Sequence, residues 1–205
     1  MPSAKHDVSA LLYRFRGYIL GVVAVALVLA PPSLFPQKFC INDCFAGILV
    51  AIPLYIVSAL LRVRSRQFIG EHTRGHAHAA DTLVTSGPYS CVRHPLYISN
   101  TGFALGIAFF HLGFSIAVVP FIVVVIAFEL ALSRIEDRFL ENKFGDVWRA
   151  WAMKTPAFFP RLGKAKRVLP QRAFWQAFFA DSSTWLWLLF CNLLLVLRKL
   201  AVFYV

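Results

Sequence analysis

The chain has 205 residues, 59% of them hydrophobic, with a mean hydropathy of +0.65 and a formal net charge of +11. A soluble domain carries roughly 45–50% apolar residues; here the excess is gathered in blocks long enough to cross a bilayer, which points to an integral membrane protein. Nucleic-acid binding is disfavoured, because the Lys and Arg residues flank the apolar blocks and no aromatic-basic binding module is visible.

The first apolar block, Gly17 to Ala30, is closed by Pro31-Pro32. It lacks a small-x-small cleavage site and further blocks follow, so it is read as a retained span. The loop after it carries "CINDC", whose Cys40 and Cys44 an outer, oxidising compartment can join. The second block, Phe45 to Leu61, is followed by Arg62, Arg64 and Arg66. Next comes "EHTRGHAHAAD", residues 71 to 81, with His72, His76 and His78. It has no cysteine, and Gly75 interrupts the helical pairing of His72 with His76, so a polar cover over a site is favoured over zinc and no metal is assigned.

The third block, Tyr97 to Leu132, has 36 residues. As one helix it would be about 54 Å long, against roughly 30 Å of hydrocarbon. His111-Leu112-Gly113 marks the break, which predicts a hairpin of two spans, 97–110 and 114–132. In the polar segment 133–172, Phe139, Leu140 and Phe144 share one helical face, Gly145 ends or pauses that helix, and Pro156 and Pro160 break the pattern after Trp148 and Trp151. The last block, Trp185 to Val205, is long enough for a fifth span, although Arg198 and Lys199 interrupt it; an interfacial helix is the alternative.

The expected architecture is therefore an all-α integral membrane protein of about five transmembrane helices, near 14–31, 45–62, 96–110, 114–132 and 183–203. A cytoplasmic N-terminus places eighteen of the twenty-one positive residues inside, with both the 62–96 and 133–172 segments. The hairpin returns those two segments to each other, so any chemistry belongs where they meet. A multi-pass protein of a bacterial inner membrane, its site facing the cytoplasm and its neighbours membrane lipids, is the expected setting.

Two stretches carry that chemistry. In "GPYSCVRHPLY", residues 87 to 97, Gly87-Pro88 is a turn signal and Pro95 suits the first turn of a helix. That helix starts near His94 or Pro95, and the positive end of its dipole suits an anionic group. Arg93 adds a fork of donors, and Tyr89 and Tyr97 offer flat faces and hydroxyls. Read alone, the stretch favours the blander reading, with Arg93 and His94 as a positive-inside flank and the tyrosines as an aromatic belt. In "SRIEDRFLENKFGDVWRAWAMKTPAFFPRL", residues 133 to 162, Glu136 and Asp137 fall near the inner end of span four, where salt bridges to Arg134 and Arg138 are the bland reading. Glu129 lies inside the span, a functional candidate by default, with Arg134 as its alternative ion-pair partner.

Together, "LVTSGPY…VRHPLY" and "E-D…L…FG…W…W…P…FP" resemble the isoprenylcysteine carboxyl methyltransferase and phospholipid N-methyltransferase group, over roughly residues 80 to 162. The resemblance implies a membrane methyltransferase that uses S-adenosylmethionine, with a cytoplasmic cofactor site formed by the 80–97 loop and the 133–162 segment. Carried onto this chain, Tyr89, His94, Pro95, Leu96 and Tyr97 line the cofactor pocket, Leu83 and Val84 supply backbone contacts, and Glu136 reaches the cofactor. Asp137 stands where the family has a second glutamate, Ser99 where it has a small glycine, and Ala157 where many relatives carry a basic residue.

Arg93, Glu129 and Arg134 are the candidates for the catalytic step. A carboxylate, phosphate or thiolate acceptor needs no general base; an amine would need one, from Glu129, His94 or Glu136. The acceptor is expected to be a lipophilic small molecule or lipidated substrate. The competing classes are a small NADPH-dependent lipid or sterol reductase, and a membrane scaffold or transporter without enzymatic activity. Oligomeric state is left open.

Overall fold

A computed structural model describes residues 4–29, 44–69, 82–114, 116–161 and 168–203. Among them the secondary structure is wholly helical: α1 (Ala4–Leu29), α2 (Cys44–Arg66), a single 3-10 turn at Gly87–Ser90, α3 (Pro95–Leu112), α4 (Val118–Phe144), α5 (Asp146–Ala152), α6 (Phe174–Phe179) and α7 (Ser182–Phe203). The 71–81 segment, with its three histidines, and Cys40 with any bond to Cys44 lie outside the described residues.

Gly47–Arg66 and Val118–Phe144 are long and apolar enough to cross a membrane; Phe15–Ala26 and Ser182–Arg198 are shorter apolar helices. The outer faces are apolar as well. Val57 and Leu60 on α2, Val123 on α4, and Leu186 and Leu189 on α7 are each at least 59% exposed. A soluble bundle would turn such residues inward, and contiguous apolar surface of this kind marks contact with lipid or protein.

The hairpin breaks where the sequence predicts, since α3 ends at Leu112 and Gly113 follows with φ of 58°. Its second arm differs from the expected 114–132. The α4 helix starts at Val118 and runs without interruption to Phe144. No helix breaker stands between Leu132 and Gly145, so the amphipathic stretch around Phe139 is the last turns of α4 and not a separate surface helix. Gly145, φ 53°, then turns the chain into α5. One uninterrupted helix thus carries Glu129, Glu136 and Asp137.

Small residues bring α2 and α3 together. A Cβ on Gly102 would collide with the Ser58 hydroxyl, and one on Gly106 with the Tyr55 ring. Ser99, fully buried, donates from its hydroxyl to the Ser58 carbonyl at 2.9 Å. This Gly-x-x-x-Gly face lets two backbones approach closely where lipid offers no hydrophobic drive for helices to associate. Ser99 therefore serves helix packing in this chain.

Charge closes the bundle at its polar end. Arg62 and Arg66, in the last turns of α2, both donate from Nε to Asp181 Oδ2 at 2.8 Å. Arg62 also donates from Nη1 to Asn100 Oδ1 at 2.6 Å and from Nη2 to Thr184 Oγ1 at 3.0 Å. One buried cation thereby ties α2 to α3 and α7. Burial alone would raise the Asp181 carboxyl, but Arg62 and then Arg66 outweigh it and hold it below its ordinary 3.8. Its contribution is complete above that pH and is lost only as acidification passes the lowered value.

Two outcomes follow from this packing. Asp181→Asn leaves two guanidiniums without their counter-ion and should cost about 3 kcal/mol, read as a lower unfolding temperature in detergent at neutral pH. Gly106→Leu should cost about 1–3 kcal/mol by overpacking the α2–α3 seam. Gly17→Leu, at a position where a Cβ meets nothing within 4 Å, should leave the same melt unchanged.

Candidate functional site

The polar end of the bundle is assembled around the loop before α3. Gly87 has φ of 60° and faces the Phe68 ring so closely that a Cβ would strike it. Glycine is needed there on both counts. The 3-10 turn that follows buries Tyr89 against Phe68 and Ile69, with Val84, Leu96 and Trp151 packed around them. Pro95 takes the first position of α3, and the first helical bond from this turn is Ile98 N–H to the His94 carbonyl at 3.2 Å.

The second polar segment docks onto this loop through its backbone. Arg93 N–H donates to the Pro156 carbonyl at 2.8 Å, His94 N–H to the Ala157 carbonyl at 3.2 Å, and Arg161 N–H to the Cys91 carbonyl at 3.1 Å. Trp151 Nε1 adds a bond to the Tyr89 carbonyl at 3.2 Å. Pro156 and Pro160 make this possible, because a chain that cannot continue as helix leaves its carbonyls free to accept. The two segments that the sequence pairs by their spacing do meet.

At the junction stands His94, 4% exposed. Its Nε2 lies 3.1 Å from Asp137 Oδ1 and its Nδ1 3.9 Å from Glu136 Oε2. Tyr97 stacks on the ring at 5.4 Å between centroids, and Phe158 covers another side at 5.7 Å. Asp137 uses its other oxygen on Arg93 Nη1 at 3.1 Å, and the Arg93 guanidinium lies 5.6 Å from the Trp148 ring. The expected salt bridges to Arg134 and Arg138 are absent. Both arginines are exposed and make no ion pair among the described residues, because α4 turns them away from the loop that Asp137 and Glu136 face.

Several polar atoms are buried here without a partner among the described residues: the Tyr89 hydroxyl, Arg93 Nε and Trp148 Nε1. Buried polar groups are hydrogen-bonded in the great majority of cases, so three unfilled donors around one loop call for an acceptor. Burial pushes the Tyr89 hydroxyl far above the ordinary tyrosine value; Arg66 offsets part of this and Glu136 adds to it, so Tyr89 stays a donor at physiological pH. Glu136 supplies the complementary function. It is a third exposed, and among the described residues its one ion-pair approach is to His94 at 3.9 Å.

The other sequence candidates divide. Pro95 and Tyr97 are buried at the junction, and Leu96 and Val84 pack in the Tyr89 cluster. Leu83 is half-buried in the loop and makes no hydrogen bond among the described residues. Glu129, 1% exposed, is buried deeper in α4. Neither of its oxygens has a well-formed hydrogen bond; Asn100 lies beside it, and Arg62 and Arg16 are the cations that act on it. Arg134 is not its partner. Sequence reasoning missed Phe158, the carbonyls of Pro156 and Ala157, and Asp137 as the clasp on Arg93 and His94. The glutamate-to-aspartate difference was the only signal for the last of these.

These residues meet the needs of a cofactor with an ammonium, a carboxylate and a sulfonium. Glu136 is an available acceptor, Tyr89, Arg93 and Trp148 hold unfilled donors, and His94, Tyr97 and Trp148 present aromatic faces. Among the described residues, no group of three or more His, Cys, Asp or Glu side chains is gathered as a metal site.

Over 85 residues the chain is 48% identical to the cobalt-zinc-cadmium resistance protein CzcN of Cupriavidus metallidurans, covering 40% of this chain and 37% of that protein. Over 83 residues it is 40% identical to the nickel-cobalt-cadmium resistance protein NccN of Alcaligenes xylosoxydans, covering 39% and 37%. The matched stretch thus spans little more than a third of either curated relative. No solved structure matches. The family model for phospholipid methyltransferases matches residues 46–147, from α2 through the loop and α3 to Trp148's neighbour on α5. Through that region, which holds His94, Glu136 and Asp137, the chain belongs to the phospholipid methyltransferase family.

Proposed function

We propose that this protein is a membrane-embedded methyltransferase that moves a methyl group from S-adenosylmethionine to a lipophilic acceptor, with its cofactor site on the cytoplasmic side. The observation that carries the reading is the set of unfilled donors and the available Glu136 around His94, within the region that matches the family. When bound, the cofactor supplies an electrophilic methyl on a sulfonium. Glu136 accepts from its ammonium or ribose hydroxyls; Arg93 Nε and the Tyr89 hydroxyl donate to its carboxylate. Tyr97 and Trp148 offer faces to the cation. His94 is a positioning residue, held by Asp137 and in turn setting the first turn of α3.

Methyl transfer is a displacement in line, so alignment and exclusion of water supply much of the acceleration. Tyr89, Trp148 and Thr155, all buried, stand on the side of the site away from water. The five-span topology, with α1, α2, α3, α4 and α7 crossing, completes the proposal. It puts the loop before α3 and the end of α4 on the inner, positively charged side. The curated relatives are named for metal resistance, and a link of this protein to metal resistance is a second reading; it would appear as increased sensitivity to cobalt, zinc or cadmium on deletion of the gene.

Glu136→Gln should weaken binding of S-adenosylhomocysteine by about 1.5–3 kcal/mol, the worth of a hydrogen bond to a charged group, with the melting temperature of the free protein unchanged. His94→Ala should lower both affinity and stability, since Asp137, Tyr97 and Phe158 lose the ring they hold. Arg134→Ala, exposed and unpaired, should be silent in the same calorimetric titration. Equal affinities in all three variants would remove the site, and binding of NADPH in place of S-adenosylhomocysteine would move the protein to the reductase class.

Topology has its own check. In a background without the four native cysteines, Thr82→Cys and Met153→Cys should both label from the cytoplasmic face. Phe114→Cys, in the turn between α3 and α4, should label from the opposite face. Thr82 and Met153 labelling from different faces would break the shared site.

A further inference from the structure

Beside the site described above lies a cavity of about 430 Å³, walled by α1, α3, α4 and α7 and closed by the last turns of α2. No residue from Leu83 to Tyr97 lines it, nor does Glu136. Its size is that of a small-molecule pocket. Toward the middle of the bundle its walls are apolar, with Phe103, Val125 and Leu188. Toward the polar end they carry Arg16, Arg62 and Arg66 against one carboxylate, Asp181.

The three arginines are not equivalent. Arg62 is spent, with Asp181, Asn100 and Thr184 taking its Nε, Nη1 and Nη2. Arg66 gives only Nε to Asp181, and its two terminal nitrogens make no hydrogen bond among the described residues. Among the described lining residues two guanidiniums share a single carboxylate, which cannot neutralise both, and Arg16 stands at the same end. Glu129, 1% exposed in α4, does not line the cavity. A positive end over an apolar chamber matches one chemistry. Two residues of α1, Tyr18 at 61% and Val22 at 66% exposure, show that this wall also faces outward to the surroundings of the bundle.

We infer that this cavity binds an amphiphile whose single anionic head, a carboxylate or a phosphate, pairs with the free nitrogens of Arg66 while its apolar chain lies along Phe103, Val125 and Leu188. A cationic head is excluded by the same charges. That the bound amphiphile is the methyl acceptor rests on the methyltransferase reading; that the cavity selects an anionic amphiphile does not.

Gly17 provides the test. It lines the cavity, and a Cβ there meets nothing within 4 Å, so a leucine fills the space without disturbing the bundle. Trp187 also lines the cavity, so quenching of tryptophan fluorescence reports occupancy by brominated probes. The full chain in neutral detergent is titrated with brominated dodecanoate, dodecyl phosphate and dodecyltrimethylammonium. At least one anionic probe should saturate at concentrations tenfold or more below the cationic one, and the tighter of the two identifies the head. Gly17→Leu and Arg66→Gln should each weaken that probe at least tenfold. Equal saturation by anionic and cationic probes, or a Gly17→Leu protein that binds like the parent, would overturn the inference. S-adenosylhomocysteine titrated into the same samples separates the two claims. Probe selectivity without cofactor binding would sink the methyltransferase reading and leave this one standing, and cofactor binding without probe selectivity would do the reverse.

Discussion

One carboxylate organises the polar end of this protein. Asp137, near the end of α4, reaches Arg93 with one oxygen and His94 with the other, both at 3.1 Å. Because those residues stand immediately before α3, the contact ties the start of one helix to the end of the next and closes the α3–α4 hairpin at its open side. Everything at the site is placed relative to that closure: the Tyr89 turn in front of it, the 155–161 backbone laid across it, and Glu136 beside it on the next position of α4. Truncating Asp137 would leave a buried imidazole and a guanidinium without a counter-charge, which is why so small a contact has so wide a reach.

The same logic recurs one turn of the bundle away. Arg62 is buried with a hydrogen bond from each of its three nitrogens, and Asp181 receives two cations at once. Among the described residues, polar atoms on Tyr89, Arg93, Trp148 and Glu129 are buried without a hydrogen-bond partner. A fold that engages all three nitrogens of Arg62 can satisfy buried polar groups, and unpaired ones are the pattern expected where a ligand is to bind.

Packing and chemistry use separate residues here, though they lie close in sequence. Along α3, Ser99, Gly102 and Gly106 face α2 and set the distance between backbones, while Pro95 and Tyr97 face the site and Asn100 takes Arg62. The family's small residue two places after Tyr97 thus has a mechanical role in this chain. Residues that line the cavity come from a third face of the same helix, at Phe103 and Ile107. Eighteen residues of helix serve three surfaces, which explains the weak segregation of apolar and polar side chains along it.

Much of this was legible in the residues themselves. Apolar blocks long enough to span lipid set the class, His111-Leu112-Gly113 marked the hairpin, and Gly87-Pro88 with Pro95 marked the turn and the helix start, because backbone constraints of Gly and Pro are local. The spacing of two motifs across the hairpin was enough to bring His94, Tyr97 and Glu136 to one place. The continuity of α4 past Leu132 is masked by the change from apolar to polar composition there, although no Gly or Pro stands before Gly145 to end the helix. Pairing was not legible either. Arg134 and Arg138 are the neighbours of Glu136 and Asp137 in sequence, yet the rotation of α4 about its axis turns them outward and gives the carboxylates to Arg93 and His94. Asp181 carries no local signal at all, and its two arginine partners lie more than a hundred residues earlier. Composition and backbone chemistry determined the helices and their ends; which charges meet, and what cavity opens between them, was decided by distances that exist only after the helices have packed.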